Sequence, residues 1–184
     1  MRIIAGKAKG RRLKYPRGSS LRPSSGRVRS AIFSILESAG ADQSRVLDLY
    51  AGTGSFGIEA LSRGAEWVDF VEQDPKHAAV IKANLAATGV EERARVHRQS
   101  VERAMGSLDG SYGVIFLDPP YGEQGLDAVL GLLARSPLTR EDTLVLVEHS
   151  KHRSLGERHS ELVLRRARRY GDTVISIFQK EAKP

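Results

Sequence analysis

The sequence predicts an α/β protein in which a doubly wound, mostly parallel sheet is closed by a C-terminal antiparallel hairpin. From residue 45 onward, short apolar segments of strand type alternate with segments of helical periodicity. Near the C-terminus, two strand-like segments are joined by Gly171-Asp172, which is typical of a tight hairpin turn. The 184 residues, 40% of them hydrophobic, suit one domain of this kind. We therefore predict seven strands and expect ligands at the carboxyl ends of the parallel ones.

The N-terminal segment has a different pattern. Residues 2–15 alternate short apolar and basic stretches, which predicts a β-hairpin with a basic tip. An isolated two-stranded ribbon is marginally stable in water, so this hairpin must dock on the rest of the protein or on a ligand. Residues 16–26 are rich in Pro, Gly and Ser and predict a linker. We therefore expect a basic hairpin of residues 1–20, followed by the α/β domain of residues 21–184.

The elements of the α/β domain follow in order. A first helix is predicted from apolar residues at helical spacing, and it ends near Gly40: Val28, Ile32, Ile35 and Leu36. The predicted strands are 45–49, 67–72, 93–98, 114–117, 144–148, 162–170 and 173–179. The other predicted helices are 55–63, 75–88, 101–108 and 126–134. The third helix opens with Pro75, which is favoured in a first turn.

Charge is distributed unevenly along the chain. The net charge is +7, and residues 1–36 contain ten of the 29 Lys and Arg residues but no acid. The remaining residues carry 19 basic against 22 acidic side chains. This asymmetry predicts a polyanion-binding segment attached to a slightly acidic domain. The predicted RNA-binding residues are Arg2, Lys7, Lys9, Arg11, Arg12, Lys14, Arg17, Arg27 and Arg29.

Composition also excludes several classes of protein. The chain has no cysteine, so disulfides and thiolate metal sites are excluded, and its five histidines form no zinc pattern. We predict no metal. No apolar stretch has the length of a membrane span or the position of a signal peptide, so we expect a cytoplasmic protein without membrane contact.

The tetrapeptide Asp118-Pro119-Pro120-Tyr121 directly follows the apolar run 114–117. Neither proline has a backbone N–H, so the chain leaves the sheet stiffly. The Asp118 carboxylate and the Pro119 carbonyl can accept hydrogen bonds from an –NH2 group, and the Tyr121 ring can stack on a planar base. Taken alone, the tetrapeptide is also compatible with an ordinary β-turn after a core strand.

A glycine-rich loop lies about sixty residues earlier. Residues 52–57 form a GxGxxG pattern between a strand and a helix, and Glu72 ends the next strand, where it can accept hydrogen bonds from ribose hydroxyls. NAD and S-adenosylmethionine both contain such a ribose. Asp48, just before the glycines, would repel a pyrophosphate but attract the ammonium and sulfonium of S-adenosylmethionine. Together, the loop and the tetrapeptide predict methyl transfer to an exocyclic amine.

These motifs resemble those of known enzymes. Residues 46–54 (VLDLYAGTG) and 118–121 (DPPY) resemble motifs I and IV of amino-methyltransferases. Residues 2–6 (RIIAG), 21–29 (LRPSSGRVR) and 31–33 (AIF) resemble the RsmD family of 16S rRNA (guanine-N2)-methyltransferases, and the likeness runs nearly end to end. The resemblance implies a Rossmann-like class I methyltransferase fold with S-adenosylmethionine as cofactor.

The resemblance also implies roles for individual residues. Asp48, Gly52 and Gly54 would hold the methionine end of the cofactor, and Glu72 the ribose. Asp118 and Tyr121 would hold the guanine, while Arg22, Pro23 and Phe33 would help to close the cofactor pocket. The complete predicted cofactor site is Asp48, Tyr50, Ala51, Gly52, Thr53, Gly54, Phe56, Glu72, Gln73, Ser100, Arg22, Pro23 and Phe33. The predicted catalytic residues are Asp118, Pro119, Pro120 and Tyr121.

The resemblance implies guanine 966 of small-subunit rRNA as the substrate. We expect a monomer acting on that RNA within the small ribosomal subunit or an assembly intermediate. The chain departs from the family pattern at Gly26, where an acid is common. It departs again at Gln99-Ser100, where related enzymes place an Asp that binds the adenine amine.

Two other functions stay open at this stage. Adenine-N6 DNA methyltransferases also use Asp-Pro-Pro-Tyr, although they usually carry a target-recognition region and no insertion interrupts this chain. A non-catalytic ribosome-assembly factor could keep a similar fold, but it would not need Asp48, Glu72 and Asp118 where RNA phosphates approach.

Overall fold

The structure, a computed structural model, describes residues 1–16, 26–120 and 125–181. Four predicted site residues lie outside the described residues: Arg17, Arg22, Pro23 and Tyr121.

The described residues form one sheet of eight strands in the order β3-β2-β1-β4-β5-β8-β7-β6. The strands are β1 Arg45–Leu49, β2 Trp67–Val71, β3 Ala94–His97, β4 Tyr112–Leu117, β5 Thr139–Ser150, β6 Arg158–His159, β7 Leu162–Tyr170 and β8 Thr173–Lys180. Strands β1 to β5 are parallel to one another, whereas β8, β7 and β6 are added in antiparallel fashion. The predicted parallel sheet with a C-terminal hairpin is thus confirmed.

Apart from shifts of one or two residues at strand ends, the sheet differs from the prediction in two details. An eighth strand, β6, has only two residues, which is too short for an alternating pattern to be recognised. Strand β5 begins at Thr139 rather than at residue 144, because it opens with the exposed polar residues 140–142.

The described part of the chain contains five α-helices, one before the first strand and four between strands. They are α1 Gly26–Ser38, α2 Ser55–Arg63, α3 Pro75–Thr88, α4 Val101–Met105 and α5 Leu126–Arg135. The ends of α3 illustrate the local signals: the Asp74 side chain caps the first turn, accepting a hydrogen bond from the Lys76 N–H at 2.7 Å, and Gly89 ends the helix in a left-handed conformation. None of the described helices has the length and apolarity needed to cross a bilayer.

The helices cover both faces of the sheet and create two cores. The first core combines α1, α2 and α3 with one face of the strands and includes Phe33, Phe56, Ile81, Phe116, Leu146 and Ile175. The second core combines α4 and α5 with the other face and includes Leu49, Val101, Leu117, Leu130 and Val147. Side chains alternate between the two faces along a strand, so residues two positions apart project on the same face. The core to which one residue belongs therefore identifies the face of the residue two positions away.

Close packing of α2 on the sheet requires Gly57. A Cβ atom at this position would lie 2.3 Å from the Phe70 ring on β2. This is the usual role of the third glycine in a strand-to-helix loop of this type. The first turn of α2 can therefore approach the carboxyl end of β1 closely.

The N-terminal segment, residues 1–16, is called here the basic arm. It doubles back on itself, with an antiparallel bridge between Arg2 and Arg12 and a 3.0 Å hydrogen bond from the Ile3 N–H to the Arg11 carbonyl. It docks on the domain because Ile3, Ala8 and Leu13 are buried in the first core. The domain boundary at residue 20 stays a prediction.

Candidate active site

Two carboxylates stand at the carboxyl ends of the central strands. Strands β1 and β4 pair in parallel with Asp48 opposite Phe116, and Asp118 lies two residues beyond Phe116. Phe116 belongs to the first core, so both carboxylates project towards the same face of the sheet. They line one pocket, whose other lining residues are Tyr50, Ala51, Gly52, Thr53, Ser55 and Phe56. Of these, only Ser55 is absent from the predicted site.

The glycine loop forms one wall of this pocket through an unusual backbone. Tyr50 has a φ of 57°, although left-handed backbone is uncommon for a residue with a side chain. Gly52 and Gly54 follow with φ values of 55° and 75°. A hydrogen bond of 3.0 Å from the Ala51 N–H to the Val71 carbonyl ties the loop to β2. This conformation turns the backbone itself towards the pocket, as a glycine-rich ligand loop requires.

Asp48 is a buried acid at the base of the pocket, with a relative exposure of 1%. Its Oδ2 accepts a hydrogen bond of 2.9 Å from the Gly57 N–H. Burial raises the pKa of Asp48 to about 8; the Gly57 hydrogen bond opposes this shift and the charge of Glu72 adds to it. A bound cation would stabilise the ionised form, so this acid suits a positively charged ligand group.

Glu72 joins the loop to the end of β2. Its Oε2 accepts a hydrogen bond of 2.9 Å from the Gly52 N–H, and its Oε1 accepts one of 2.8 Å from the Asp74 N–H. A carboxylate offers about four acceptor positions, so two remain for ligand hydroxyls. The predicted neighbour Gln73 is exposed beside it. Glu72 therefore shapes the loop and can also bind a ribose.

The C-terminal end of the basic arm reaches this site. Burial, and secondly the charge of Asp118, raise the pKa of the Tyr15 hydroxyl, so this ring lies within electrostatic range of Asp118. Asp118 and Pro119 are half-buried, and Pro120 is exposed. Tyr15 is not among the predicted site residues, because nothing in the local sequence pattern shows where the end of the arm lies.

Asn84 on α3 fixes the position of the arm. Its side chain is fully buried, and its Oδ1 accepts a hydrogen bond of 2.7 Å from the Lys14 N–H. Its Nδ2 donates to the carbonyls of Lys14, at 3.1 Å, and Thr53, at 3.0 Å. One side chain thus joins the arm to the glycine loop. The sequence feature that could have identified Asn84 is its polar amide within the apolar stripe of α3, between Ile81 and Leu85.

Two predicted cofactor residues, Phe33 and Ser100, have contacts within the protein that support the local structure. Phe33 is fully buried in the first core, with its ring centroid 5.8 Å from that of Phe116 and the Arg63 guanidinium 4.6 Å from its own. It therefore supports the pocket through Phe116, which stacks on Phe56 at 5.1 Å, and does not line the pocket itself. Ser100 caps α4 by accepting a 3.4 Å hydrogen bond from the Arg103 N–H. Its predicted contact with adenine stays a prediction.

The predicted RNA-binding residues are mostly on the surface. The exposed ones are Arg2, Lys7, Lys9, Arg11, Arg12, Lys14 and Arg27. Arg29 requires a correction, because its side chain is only 1% exposed. Its Nη2 donates to the Arg2 carbonyl at 2.6 Å, and its Nε lies 4.0 Å from the Glu59 carboxylate. Arg29 therefore holds the arm from inside, where RNA does not reach it.

A wider depression, at the amino-terminal end of β5, is a weaker candidate site. It is lined by Arg140, Glu141, Asp142, Glu161, Lys180 and Glu181. Most of its charged groups are already engaged in ion pairs, such as Arg140 with Asp142 at 2.7 Å and Lys180 with Glu161 at 3.3 Å. It also lies away from the carboxyl ends of the parallel strands, where α/β sheets bind ligands.

Comparison with known proteins adds the family context. A family model described as "Conserved hypothetical protein 95" matches residues 1–179. YlbH of Bacillus subtilis (strain 168) is 40% identical over 183 residues, covering 98% of this chain and 99% of YlbH. Ribosomal RNA small subunit methyltransferase D of Escherichia coli (strain K12) is 30% identical over 183 residues, covering 100% of this chain and 91% of that protein. The solved structure of yhhF from Escherichia coli, also 30% identical, matches with a TM-score of 0.85 over 100% of this chain and 99% of that one.

Proposed function

We propose a specific reaction for this chain, which belongs to the family described as Conserved hypothetical protein 95, the RsmD family of methyltransferases. The proposed reaction is methyl transfer from S-adenosylmethionine to the exocyclic N2 of guanine 966 in 16S rRNA. The observation that carries the proposal is the shared pocket of Asp48 and Asp118, where one acid suits a cation and the other suits an amine. The name of the relative from Escherichia coli supports small-subunit rRNA as the substrate. Such a substrate implies action in the cytoplasm.

The residues of the pocket fit the cofactor of this family, S-adenosylmethionine. Asp48 would attract its ammonium and sulfonium groups, and the free acceptor positions of Glu72 would bind its ribose. The backbone of residues 50–54 would approach the methionine portion closely, with Phe56 beside it. When bound, the cofactor supplies an electrophilic methyl group on its sulfonium sulfur.

Asp118 and Pro119 would prepare the amine for attack. Because N2 of guanine is conjugated with the ring, it is a poor nucleophile and must be aligned and desolvated. The Asp118 carboxylate and the Pro119 carbonyl would accept hydrogen bonds from the N–H groups of the amine. These hydrogen bonds would direct the nitrogen lone pair at the methyl carbon. As N2 gains the methyl group and the sulfur loses it, Asp118 would stabilise the positive charge that grows on nitrogen. The proton then leaves N2 to Asp118 or to water.

A transfer assay tests the proposal directly. Labelled S-adenosylmethionine is offered with unmodified small ribosomal subunits, naked rRNA and duplex DNA side by side, and the modified nucleoside is identified by mass. We expect N2-methylguanine in rRNA, with the better acceptor showing the assembly stage. N6-methyladenine in DNA would replace the proposal with the adenine-specific alternative. Cofactor-independent RNA binding without transfer would favour the assembly factor.

The raised pKa of Asp48 predicts a pH-dependent cofactor affinity. Below about pH 8 the free protein holds a proton on Asp48, and binding of a cation must release it. Affinity should therefore rise by about tenfold per pH unit between about pH 6 and 8 and then level off. Calorimetric titration across this pH range measures the affinity for the cofactor. The control is Asp48→Asn, which should bind the cofactor more weakly and lose the pH dependence. An affinity of the wild-type protein that does not vary with pH would contradict the role of Asp48.

The basic arm predicts the salt dependence of RNA binding. Replacing Lys7, Lys9, Arg11 and Arg12 with Gln removes four exposed positive charges. If each contacts one phosphate of single-stranded RNA, the slope of log Kd against log salt should fall by about 3. Cofactor affinity should not change.

A charge-matched control separates arm contacts from net charge. It replaces four exposed arginines of β7 with Gln: Arg165, Arg166, Arg168 and Arg169. We expect the arm variant to lose more of the salt slope than this control. Equal losses would show that net charge accounts for the effect and that the arm is not the main RNA contact.

A further inference from the structure

A second carboxylate stands beside Asp118 at the carboxyl end of the next strand. Strands β4 and β5 pair in parallel, with Leu117 opposite Val147. The residues that follow these two are Asp118 and Glu148. Neighbouring strands lie about 4.8 Å apart, so these two acids start from adjacent positions on the sheet.

Both acids project from the same face of the sheet. Phe116 and Leu146 lie two residues earlier on the two strands, and both belong to the first core. Ile175, which is paired with Glu148 on β8, belongs to the same core. Side chains two residues apart on a strand share a face, so Glu148 projects on the same side as Asp118 and Asp48. Glu148 is partly exposed, and its carboxylate is not sealed within the core.

The hydrogen-bonding edge of guanine matches such a pair. N1–H and the N2 amino group are adjacent donors on that edge, whereas adenine has an acceptor at N1. A carboxylate accepts hydrogen bonds and donates none when ionised. Two carboxylates side by side therefore suit the neighbouring donors of guanine and oppose the N1 lone pair of adenine.

We propose that Glu148 determines specificity by accepting the N1–H of the target guanine, while Asp118 accepts an N–H of the reacting N2. This inference rests on the proposed function, because it takes N2 of guanine as the methyl acceptor. In this proposal, Glu148 on β5 distinguishes guanine from other purines, and Asp118 after β4 aligns the amine. Glu148 is thus a positioning residue for the base, and the bond-forming step does not involve it.

The test compares two bases that carry the same reactive amine. The target guanine is replaced with 2-aminopurine in a synthetic RNA segment ligated into the acceptor that supports transfer. 2-Aminopurine keeps the 2-amino group, but its N1 has no proton. We expect wild-type protein to prefer guanine by about 100-fold or more in kcat/KM, since sites that bind a substrate N–H reject analogues without it.

The substitution Glu148→Gln should reduce this preference to less than about tenfold, because the amide of Gln can donate to the unprotonated N1 of 2-aminopurine. The matched control is Glu141→Gln, which makes the same change at an exposed position near the other end of β5 and should keep the wild-type preference. Cofactor affinity is measured for both variants and should equal that of the wild type.

The outcomes separate this inference from the proposed function. An unchanged preference in Glu148→Gln, or an equal loss of activity on both bases, would overturn the specificity role while wild-type transfer to guanine still upheld the proposed function. No transfer by wild-type protein to the N2 of guanine would overturn both. A preference that collapses only in Glu148→Gln supports the assignment.

Discussion

The Asp118→Ala variant is expected to lose methyl transfer by about 100- to 1,000-fold and to keep wild-type affinity for S-adenosylmethionine. The loss has the size observed when a preorganised group that stabilises charge in a transition state is removed. Asp118 is one residue beyond β4 and half-buried, and it lines the pocket opposite the glycine loop. The cofactor-binding role falls to Asp48 and Glu72, which the substitution leaves in place.

Single-turnover transfer and equilibrium cofactor binding measure the two parts of this prediction separately. The Asp118→Asn variant is the matched control, because its amide keeps one acceptor oxygen in the same place. We expect its rate to lie between those of the wild type and Asp118→Ala. If Asp118→Ala also lost cofactor binding, Asp118 would hold the cofactor, and its assignment to the amine would be wrong.

The Glu59→Ala variant is expected to lower the free energy of unfolding by about 3–5 kcal/mol, the usual cost of breaking a buried ion pair. Glu59 is fully buried on α2. Its Oε2 accepts a hydrogen bond from the Ile4 N–H at 2.8 Å, and its Oε1 accepts one from the Ala5 N–H at 3.0 Å. Oε1 also accepts the Nε–H of Arg63 at 3.0 Å. Without the carboxylate, two backbone N–H groups of the arm would be buried without this acceptor.

Arg29 adds to the cost of removing Glu59. Burial is the main reason that the pKa of Arg29 is lowered, and the negative charge of Glu59 opposes this shift. Without Glu59, a buried guanidinium would lose its compensating charge. The arm should therefore detach from α2 as well as lose stability, and RNA binding should weaken with it.

Chemical denaturation and limited proteolysis of the arm test this prediction. Glu37→Ala is the matched control, since Glu37 pairs with the same Arg63 at 2.8 Å but is exposed. Exposed pairs contribute about 0–1 kcal/mol, so the control should be nearly neutral. If Glu59→Ala destabilised the protein no more than Glu37→Ala does, Glu59 would not anchor the arm.

The order of the strands and helices could be predicted from the amino-acid sequence, because the signals for them are local. Helices α2 and α3 begin and end at the predicted residues, as left-handed glycines follow both and Asp74-Pro75 opens the second. The pocket residues Asp48 and Asp118 were also predictable. Each lies at the end of an apolar strand segment, and in a parallel sheet such ends meet at one edge.

Long-range contacts, by contrast, determine which buried polar groups hold the arm and which acid lies beside Asp118. Glu59 and Asn84 bind arm residues that are 54 to 70 positions away in the chain. Glu148 lies next to Asp118 because β5 pairs with β4 in one particular register. Arg29 is basic like its exposed neighbours, but docking of the arm buries it. Hydrophobic periodicity indicates the buried face of each element, whereas the identity of its distant partners depends on sheet order and docking, which no local pattern contains.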